Sequence, residues 1–504
     1  MDGWLDPVYD AQGMRAADSW AIDEQGVPSL DLMETAGEAV AEAVRDASRD
    51  GPIRVVCGKG NNAGDGVVAA RHLAGTGYEA EVLLLWPAGQ LSPDAGANLE
   101  RFEGEVREVA AGELPAALAA SGAVIDAVFG TGFEGSPRAP ADAAIEAVNG
   151  CSAPVIAADI ASGVSASSGE AEGAAVKADI TVSFHAAKVG HWIAPGKPLT
   201  GELRVAAIGI PDGAPSEPAG GVIRDEVLEL APKRRTNSTK FDSGEVLVIG
   251  GARGLTGAVC MASSAAIRVG AGYATVAVPA DLEDIFEIKL TEVMSRGFDG
   301  APGRLGSASA EAILSAAERS AAVVLGPGLG RNDDSLELAR RVAHGVQAPL
   351  LIDADGLNAH AGRLELIAER EAPTVLTPHA GELGRLLERK SSEIDGHRLA
   401  SVREAAERSE AIVVLKGDDT LIAHGDRLAI SAGGSPGLAT AGTGDVLSGT
   451  IGALLARGME PFTAVCAGVH AHQRAGRIAA ERVGAPESLV ATDVIAALPS
   501  ALLT

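Results

Sequence analysis

Residues 53–74 read IRVVCGKGNNAGDGVVAARHLA, and the fold is decided there. A β-branched run (53–57) passes through the turn Gly58-Lys59-Gly60-Asn61-Asn62-Ala63-Gly64-Asp65-Gly66 into the helix-forming VVAARHLA. Such a run suits a strand buried on both faces. Similar runs follow at EVLLLW (81–86), AVIDAVF (123–129), PVIAADI (154–160) and DITVSF (179–184). Helically spaced stretches such as APADAAIEAV (139–148) separate them. Strand–helix alternation of this kind implies a parallel α/β sheet. Ahead of it, SLDLMETAGEAVAEAVRDA (29–47) has amphipathic helical spacing, with Ser29 or Asp31 available as its cap.

The alternation lapses around 211–240, first in PDGAPSEPAGG and then in the basic APKRRTNSTKFDSG. A boundary belongs in this turn-rich, polar stretch. A second α/β series then begins: EVLVIGG (245–251), YATVAVP (273–279), AAVVLGPG (321–328), PLLIDADG (349–356), PTVLTP (373–378) and AIVVLKG (411–417). No shared period links the halves, so two different units are fused: domain 1–215, linker 216–231 and domain 232–504. With 504 residues, each half has the size of a large domain.

The net charge of −27 argues against a nucleic-acid binder or an anionic-membrane binder, both of which need dense Lys and Arg. Cys57, Cys151, Cys260 and Cys466 are scattered without a CxxC, which disfavours a zinc cage or a disulfide framework. The N-terminus is acidic and has no apolar signal region, and no run of 18 uncharged apolar residues occurs. A cytoplasmic location is expected.

In a parallel sheet, ligands bind outside the carboxyl ends of the strands. Three such ends carry polar or glycine-rich loops: 58–66; Gly130-Thr131-Gly132-Phe133-Glu134-Gly135, with Asp126 just inside its strand; and Asp159-Ile160-Ala161-Ser162-Gly163. The glycines of the first loop allow positive φ and close approach to a ligand, and the helix behind it favours phosphate. Together these ends place Asn62, Asp65, Asp126, Asp159 and Ser162 at one crevice. An oxygen-rich set without thiols suits a hard cation such as K⁺ or Mg²⁺.

In the second half the strongest motif is GLATAGTGDVLSG (437–449). Backbone N–H groups at the start of its helix can form an anion hole, with Asp445 in the first turn facing the same point. A carboxylate beside a phosphate nest is what phosphoryl transfer to a hydroxyl requires. Strand ends carrying Gly326–Gly330, Asp353 and Asp355, Thr377–Glu382, and Lys416–Thr420 point to the same nucleotide crevice.

GKGNNAGDG, IDAVFGTGFEG, DIASGVSASSG and TVSFHAAKVGH resemble, in order and spacing, the NAD(P)H-hydrate epimerase family of the YjeF N-terminal type, over about residues 10–210. The resemblance implies a Rossmann-like domain. It also implies that Asn61, Asn62, Ala63, Gly64 and Asp65, with Gly130, Thr131, Gly132, Phe133, Glu134, Gly135 and Ser136, hold a hydrated nicotinamide nucleotide. Asn62, Asp126 and Ser162 are then K⁺ ligands and Asp159 a substrate contact. We read Asp159 as the acid/base group, assisted by Lys188. The family pattern NNGGD, DIPSG and SGVDADTG is altered here at Ala63, Ala161, Ser165 and Ser167.

Residues from about 232 to 500 resemble the ribokinase-like ADP- or ATP-dependent NAD(P)H-hydrate dehydratases, through VLVIGGARGLTGA, GPGLG, IDADGLN, TPHAGE, KGDDT and GLATAGTGDVLSG. Thr239-Lys240 stands where that family often has His-Lys. By motif, Ala265, Gly328, His379 and Asp445 contact the hydrated nucleotide. Lys416, Gly417, Asp418, Asp419, Thr420 and Gly444 contact ADP or ATP. Mg²⁺ is expected with the adenine nucleotide, and Asp445 is the expected catalytic base. Read this way, the chain is a homo-oligomeric enzyme of two activities, epimerising NAD(P)HX and dehydrating it at the expense of ADP. A ribokinase-like kinase for a small alcohol, fused to a nucleotide-binding regulatory domain, is the alternative.

Overall fold

The computed structural model describes residues 2–503. They divide into one compact unit, Pro7–Gly221, and a second made of Asp2–Asp6 and Val222 onward. After a short strand β1 (Leu5–Val8), seven strands form the first sheet: β2 (Ile53–Cys57), β3 (Ala80–Leu84), β4 (Glu105–Glu108), β5 (Ala123–Ala127), β6 (Val155–Ala158), β7 (Ile180–Phe184) and β8 (Glu202–Ala206). Their order is β4-β3-β2-β5-β6-β7-β8, parallel throughout.

Both faces of this sheet are covered, and the register shows why the strands read as continuous apolar runs. Ile53, Val55 and Cys57 join one buried cluster with Val82 and Ile125, while Val56 joins another with Leu83 and Val124. The strand order reverses between β2 and β5. This is the switch point where α/β sheets open a crevice.

The helix Ser29–Ala47 forms where its spacing places it, but its N-cap is Pro28 and no side chain caps that end, so neither Ser29 nor Asp31 is the cap. The glycine loop also differs from its sequence reading. The helix after β2 begins at Asn61, so Asn61–Gly66 is its first turns and not a free loop. None of Gly58, Gly60, Gly64 or Gly66 has positive φ. Gly58, Gly64 and Gly66 serve close approach instead, whereas Gly60 faces open space. A Cβ on Gly58 would lie 2.0 Å from the Val128 carbonyl oxygen, and one on Gly64 would lie 2.4 Å from Met33 Sδ. Gly58→Ala should therefore destabilise the first unit by about 1–3 kcal/mol, read as a shifted denaturation midpoint. An unchanged midpoint would mean that β2 and the strand end at Val128 can separate freely.

The second sheet has eleven strands in the order β1-β9-β18-β17-β16-β15-β14-β13-β10-β11-β12. These are β9 (Gly220–Ile223), β10 (Glu245–Ile249), β11 (Tyr273–Pro279), β12 (Met294–Phe298), β13 (Ala322–Leu325), β14 (Leu350–Ile352), β15 (Thr374–Leu376), β16 (Ile412–Leu415), β17 (Leu421–His424) and β18 (Arg427–Ile430). The stretch 216–231, read as linker, thus contains β9 and a 3-10 turn at Asp225–Leu230. Strands β10 to β16 pair in parallel, and β16-β17-β18 is an antiparallel meander.

Here the order reverses between β10 and β13. Their loops lock together through Gly251 N–H to Pro327 O (3.1 Å) and Ala252 N–H to Gly328 O (2.7 Å). The helix Thr443–Ala456 packs over this point, its Gly452 facing Val324 and Val246. Among the described residues no helix is long and apolar enough to cross a membrane.

Candidate functional site

At the first switch point a pocket of ≈690 Å³ is lined by Asn61, Asn62, Asp65, Gly130–Glu134 and Asp159. That volume lies within the ~300–1,000 Å³ range of small-ligand sites. The structure does not bring all the expected contacts to this wall. Ala63 is fully buried and Gly64 is packed on Met33, while Gly135 and Ser136 are exposed outside the pocket. The altered positions 161, 165 and 167 also lie off the wall. Ala161 is in the core, and the Ser167 hydroxyl accepts from the Ala11 N–H at 3.0 Å.

Asp159 is the hub of this site. It follows β6 with φ of 69°, a conformation costly for a non-glycine residue and typical of functional sites. Thr131 donates to its Oδ2 through both its N–H (3.1 Å) and its hydroxyl, and Phe184 N–H donates to Oδ1 at 3.3 Å. Lys188 is completely buried. Its ammonium donates to Asp159 Oδ1, to Ser183 Oγ (2.9 Å) and to the Phe184 carbonyl (2.9 Å). Burial works to raise the Asp159 pKa, but the ammonium and the Lys188 and Thr131 hydrogen bonds outweigh it and hold the carboxyl below its ordinary value.

His191 completes the support. Its Nδ1 accepts from Lys188 N–H (3.0 Å), so Nε2–H donates to the Asp159 carbonyl (3.1 Å). Burial, with the Lys188 charge, pushes this ring down to about 3, and it stays neutral.

Two carboxyls beside Asp159 behave in the opposite way. Asp18, from the helix Ala11–Ser19, is raised to about 6 by burial and then by the Asp159 charge, against Lys188. Asp65 is raised well above its usual range, by burial and then by Asp159 and Asp18. One pocket thus holds an ionised carboxylate and two carboxyls that retain protons more tightly, the pattern of an acid–base division of labour. Asp18 was missed in the sequence because it precedes the first glycine motif by some forty positions and sits in an unremarkable helix.

Behind the wall formed by Asn62 and Phe129 lie the fully buried Asp126 and Ser162. Asp126, fully buried, accepts from Ser162 N–H (2.8 Å) and Ser162 Oγ–H (2.6 Å), while Phe129 N–H donates to Ser162 Oγ (2.8 Å). Asn62 Nδ2 donates to the Phe129 carbonyl at 2.9 Å, which leaves Asn62 Oδ1 buried with no partner. A Cβ on Gly130 would lie 3.2 Å from the Asn62 carboxamide carbon, so glycine keeps this space open. A buried oxygen acceptor without a donor, in a cluster whose side chains carry no sulfur or imidazole ligand, is suited to a hard monovalent cation.

In the second unit, Lys416 at the end of β16 joins Asp353 (Nζ–Oδ1 3.0 Å) and Glu382 (3.5 Å), and the Ser448 hydroxyl donates to Asp353 Oδ2 at 2.7 Å. Burial opposes the Lys416 charge, but Asp353 and Glu382 outweigh it and raise its pKa. Ala354, next to Asp353, has φ of 50°, a second strained strand end. Asp355 Oδ2 accepts from Gly330 N–H (3.0 Å) and its Oδ1 from Arg331 Nε–H (2.8 Å), tying it to the loop after β13.

His379 caps the helix Ala380–Leu387, Nδ1 accepting from Gly381 N–H (3.0 Å), and its Nε2 lies 3.6 Å from Glu382. Its pKa is lowered, chiefly by burial, against the pull of Glu382.

The helix Thr443–Ala456 begins at Gly442 (φ 95°) with no side-chain cap. Its first-turn N–H groups and partial positive charge are therefore open to an anion. Gly444 faces Lys416, whose Nζ would lie 3.8 Å from a Cβ there. Asp445 follows. Burial and then the Asp353 charge, helped by Asp355 and Glu382 and opposed by Lys416, push its carboxyl up to about 7.

Lys416, Gly417, Asp418, Thr420 and Gly444 line a neighbouring cavity of ≈430 Å³. Asp419 does not; its carboxylate is held by Arg398 at 2.9 Å in a buried pair, a role in shaping the turn. Ala265 is wholly inside the core cluster, so packing and not an open surface is what its methyl offers. Among the described residues no group of three or more His, Cys, Asp and Glu side chains is arranged to hold a metal ion, so the expected Mg²⁺ finds no cage of its own.

Two α/β units, one grouping Asp18, Asp65 and Asp159 about the buried Lys188 and the other setting a raised Asp445 near the half-buried Lys416, define a nucleotide-handling enzyme with two centres. The family model of the YjeF-related protein N-terminus matches residues 29–190, and that of NAD(P)H-hydrate dehydratase matches 246–500. The bifunctional NAD(P)H-hydrate repair enzyme of Salinibacter ruber is 38% identical over 98% of this chain and 95% of its own. That of Escherichia coli K12 is 32% identical over 97% and 93%. A solved ADP/ATP-dependent NAD(P)H-hydrate dehydratase from Bacillus subtilis, co-crystallised with ATP/Mg²⁺, is 26% identical, covering 55% of this chain and 95% of its own with a TM-score of 0.48. The chain belongs to the family of bifunctional NAD(P)H-hydrate repair enzymes.

Proposed function

We propose that the N-terminal centre interconverts the R and S forms of hydrated NADH and NADPH, and that the C-terminal centre dehydrates the S form, converting ADP to AMP and phosphate. The observation that carries this reading is the raised Asp445 carboxyl beside Lys416 and an uncapped helix start. Hydroxide leaves poorly. Asp445 takes the proton of the C6 hydroxyl, whose oxygen attacks the terminal phosphoryl group of the nucleotide. The bond to the departing nucleotide breaks while Lys416 and the first-turn N–H groups neutralise its charge. Phosphate then leaves C6, pushed by the ring nitrogen lone pair, and loss of a C5 proton restores the dihydronicotinamide. A base with a pKa near the working pH suits the first of these steps.

In this reading Gly328 and His379 flank the hydrated ring, and Lys416–Asp418, Thr420 and Gly444 hold the adenine nucleotide. Magnesium is commonly held by substrate phosphates with one or two carboxylates, and here it would arrive on the nucleotide. Mixing hydrated NADH with ADP and following reduced-nicotinamide absorbance and phosphate together tests the reading; a stable phosphoester in place of free phosphate would instead favour the small-alcohol kinase.

Inversion at C6 needs the C6–O bond to break and re-form from the other face. An acid must protonate the departing oxygen and a base must take a proton from the returning water. Asp18 or Asp65 supplies the first and Asp159 the second, with Lys188 keeping Asp159 ionised. Asn62, Asp126 and Ser162 would hold K⁺, which adds positive charge beneath a site that receives a polyanionic nucleotide. K⁺ should then raise the melting temperature of the first unit by several degrees more than tetramethylammonium at equal ionic strength. Asn62→Leu should cancel that difference; an identical response to both cations in the unaltered protein would remove the K⁺ assignment.

A further inference from the structure

We propose that His472 reads the nucleoside of the bound adenine nucleotide by accepting one hydrogen bond from it through Nε2. This rests on the assignment of the 430 Å³ cavity to that nucleotide. His472 lies on the helix Pro461–Val483, lines the cavity and is only 7% exposed. Its Nε2 is buried and has no hydrogen-bond partner.

The tautomer follows from the other side of the ring. The backbone of Thr443 hydrogen-bonds the imidazole in the sense that favours its protonated form, which only a carbonyl acceptor does. With Nε2 unpartnered, the proton facing Thr443 is on Nδ1, and the lone pair is on Nε2. Burial, helped by the charge of Lys416 and opposed by the Thr443 bond, pushes the ring down to about 4, so it stays neutral across the physiological range.

A buried lone pair needs a donor. Ionised phosphates offer none, and their oxygens repel a second acceptor. They also have their own station at Lys416 and the helix start by Gly444. What remains of a nucleotide is a ribose hydroxyl or the exocyclic amine of the base, and both are neutral donors. The surroundings suit those parts, because Leu438, Leu447 and Val469 line the same cavity. Thr443 also couples the two recognitions, since the residue that anchors the His472 ring opens the helix that receives the phosphates. In sequence, His472 is one of two histidines inside an alanine-rich helix, with no glycine loop to single it out.

Calorimetric titration of the full-length protein with ADP, inosine diphosphate, 2′-deoxy-ADP and 3′-deoxy-ADP tests this without relying on turnover. One analogue, the one lacking the donor that His472 meets, should bind about tenfold or more weaker than ADP. In His472→Leu that gap should close because ADP weakens to the level of the analogue. His472→Gln, whose carboxamide oxygen can accept, should restore part of it. The identity of the analogue separates base from ribose.

Should the Leu variant fail to fold, ¹⁵N NMR of the unaltered protein gives a second measurement. An unprotonated Nε2 resonance should move on adding ADP and stay in place with inorganic phosphate. Analogues all within twofold of ADP, or a gap that persists in His472→Leu, would overturn the assignment of His472 alone. Selective ADP binding without any recovery of NADH would instead defeat the dehydratase reading and leave His472 standing.

Discussion

Asp445→Asn is expected to lower ADP-dependent recovery of NADH by about 10³-fold or more and to leave epimerisation at the other centre unaltered. The amide keeps the size of the side chain but cannot take the C6 hydroxyl proton, so the loss should fall on kcat more than on binding. In the unaltered protein the rate should fall as the pH drops through about 7, the value to which burial and Asp353 raise this carboxyl.

Stability should move in the other direction. A folded-state pKa of about 7 against an ordinary 3.8 means that the ionised form is disfavoured in the fold. The penalty grows between those values and is complete above the upper one. Asp445→Asn should therefore melt higher than the unaltered protein at about pH 8, with the gain shrinking toward pH 4. Full activity in the variant, or a lower melting temperature at pH 8, would contradict the role and the electrostatics respectively.

The second large effect is expected at the other centre. Asp159→Asn should abolish epimerisation and destabilise the first unit by about 3–5 kcal/mol, because it strands a wholly buried ammonium. Lys188→Met should be comparably destabilising from the other side of the pair. The double variant Asp159→Asn/Lys188→Met should recover much of the stability and none of the epimerisation, a separation that a purely structural role would not produce. The pH dependence has the opposite sense to that of Asp445. Asp159 titrates below 3.8 in the fold, so its stabilising contribution is complete above that value and is lost as acid is added below it. Single variants as stable as the parent would remove the ion pair as the organiser of the site.

Much of this was legible in the chain because strands buried on both faces leave an uninterrupted apolar record. Ile53–Cys57 and Glu245–Ile249 are observed where the pattern places them, as is the helix Ser29–Ala47. Strands at the sheet edges left no such record. Glu105–Glu108 is exposed at every position, and Glu-Val-Arg-Glu, with a single apolar residue, carries no burial signal. The glycines at 58 and 64 marked the site correctly but for close packing and not for positive φ, since the helix starts at Asn61.

Side-chain pairings across long separations were the least readable. The full burial of Lys188, the Asp353–Lys416–Glu382 cluster and the bare Nε2 of His472 depend on which strand ends the fold brings together. Asp419 shows the converse: a motif residue whose carboxylate the fold gives to Arg398.

The most direct measurement of the central claim is a stoichiometric one. A mixture of R and S hydrated NADH is incubated with the purified protein and ADP, and NADH, phosphate, AMP and the remaining epimers are quantified together. One phosphate and one AMP per NADH, with both epimers consumed to completion, is the expected result. NADH formed without loss of ADP, or no NADH at all, would contradict it.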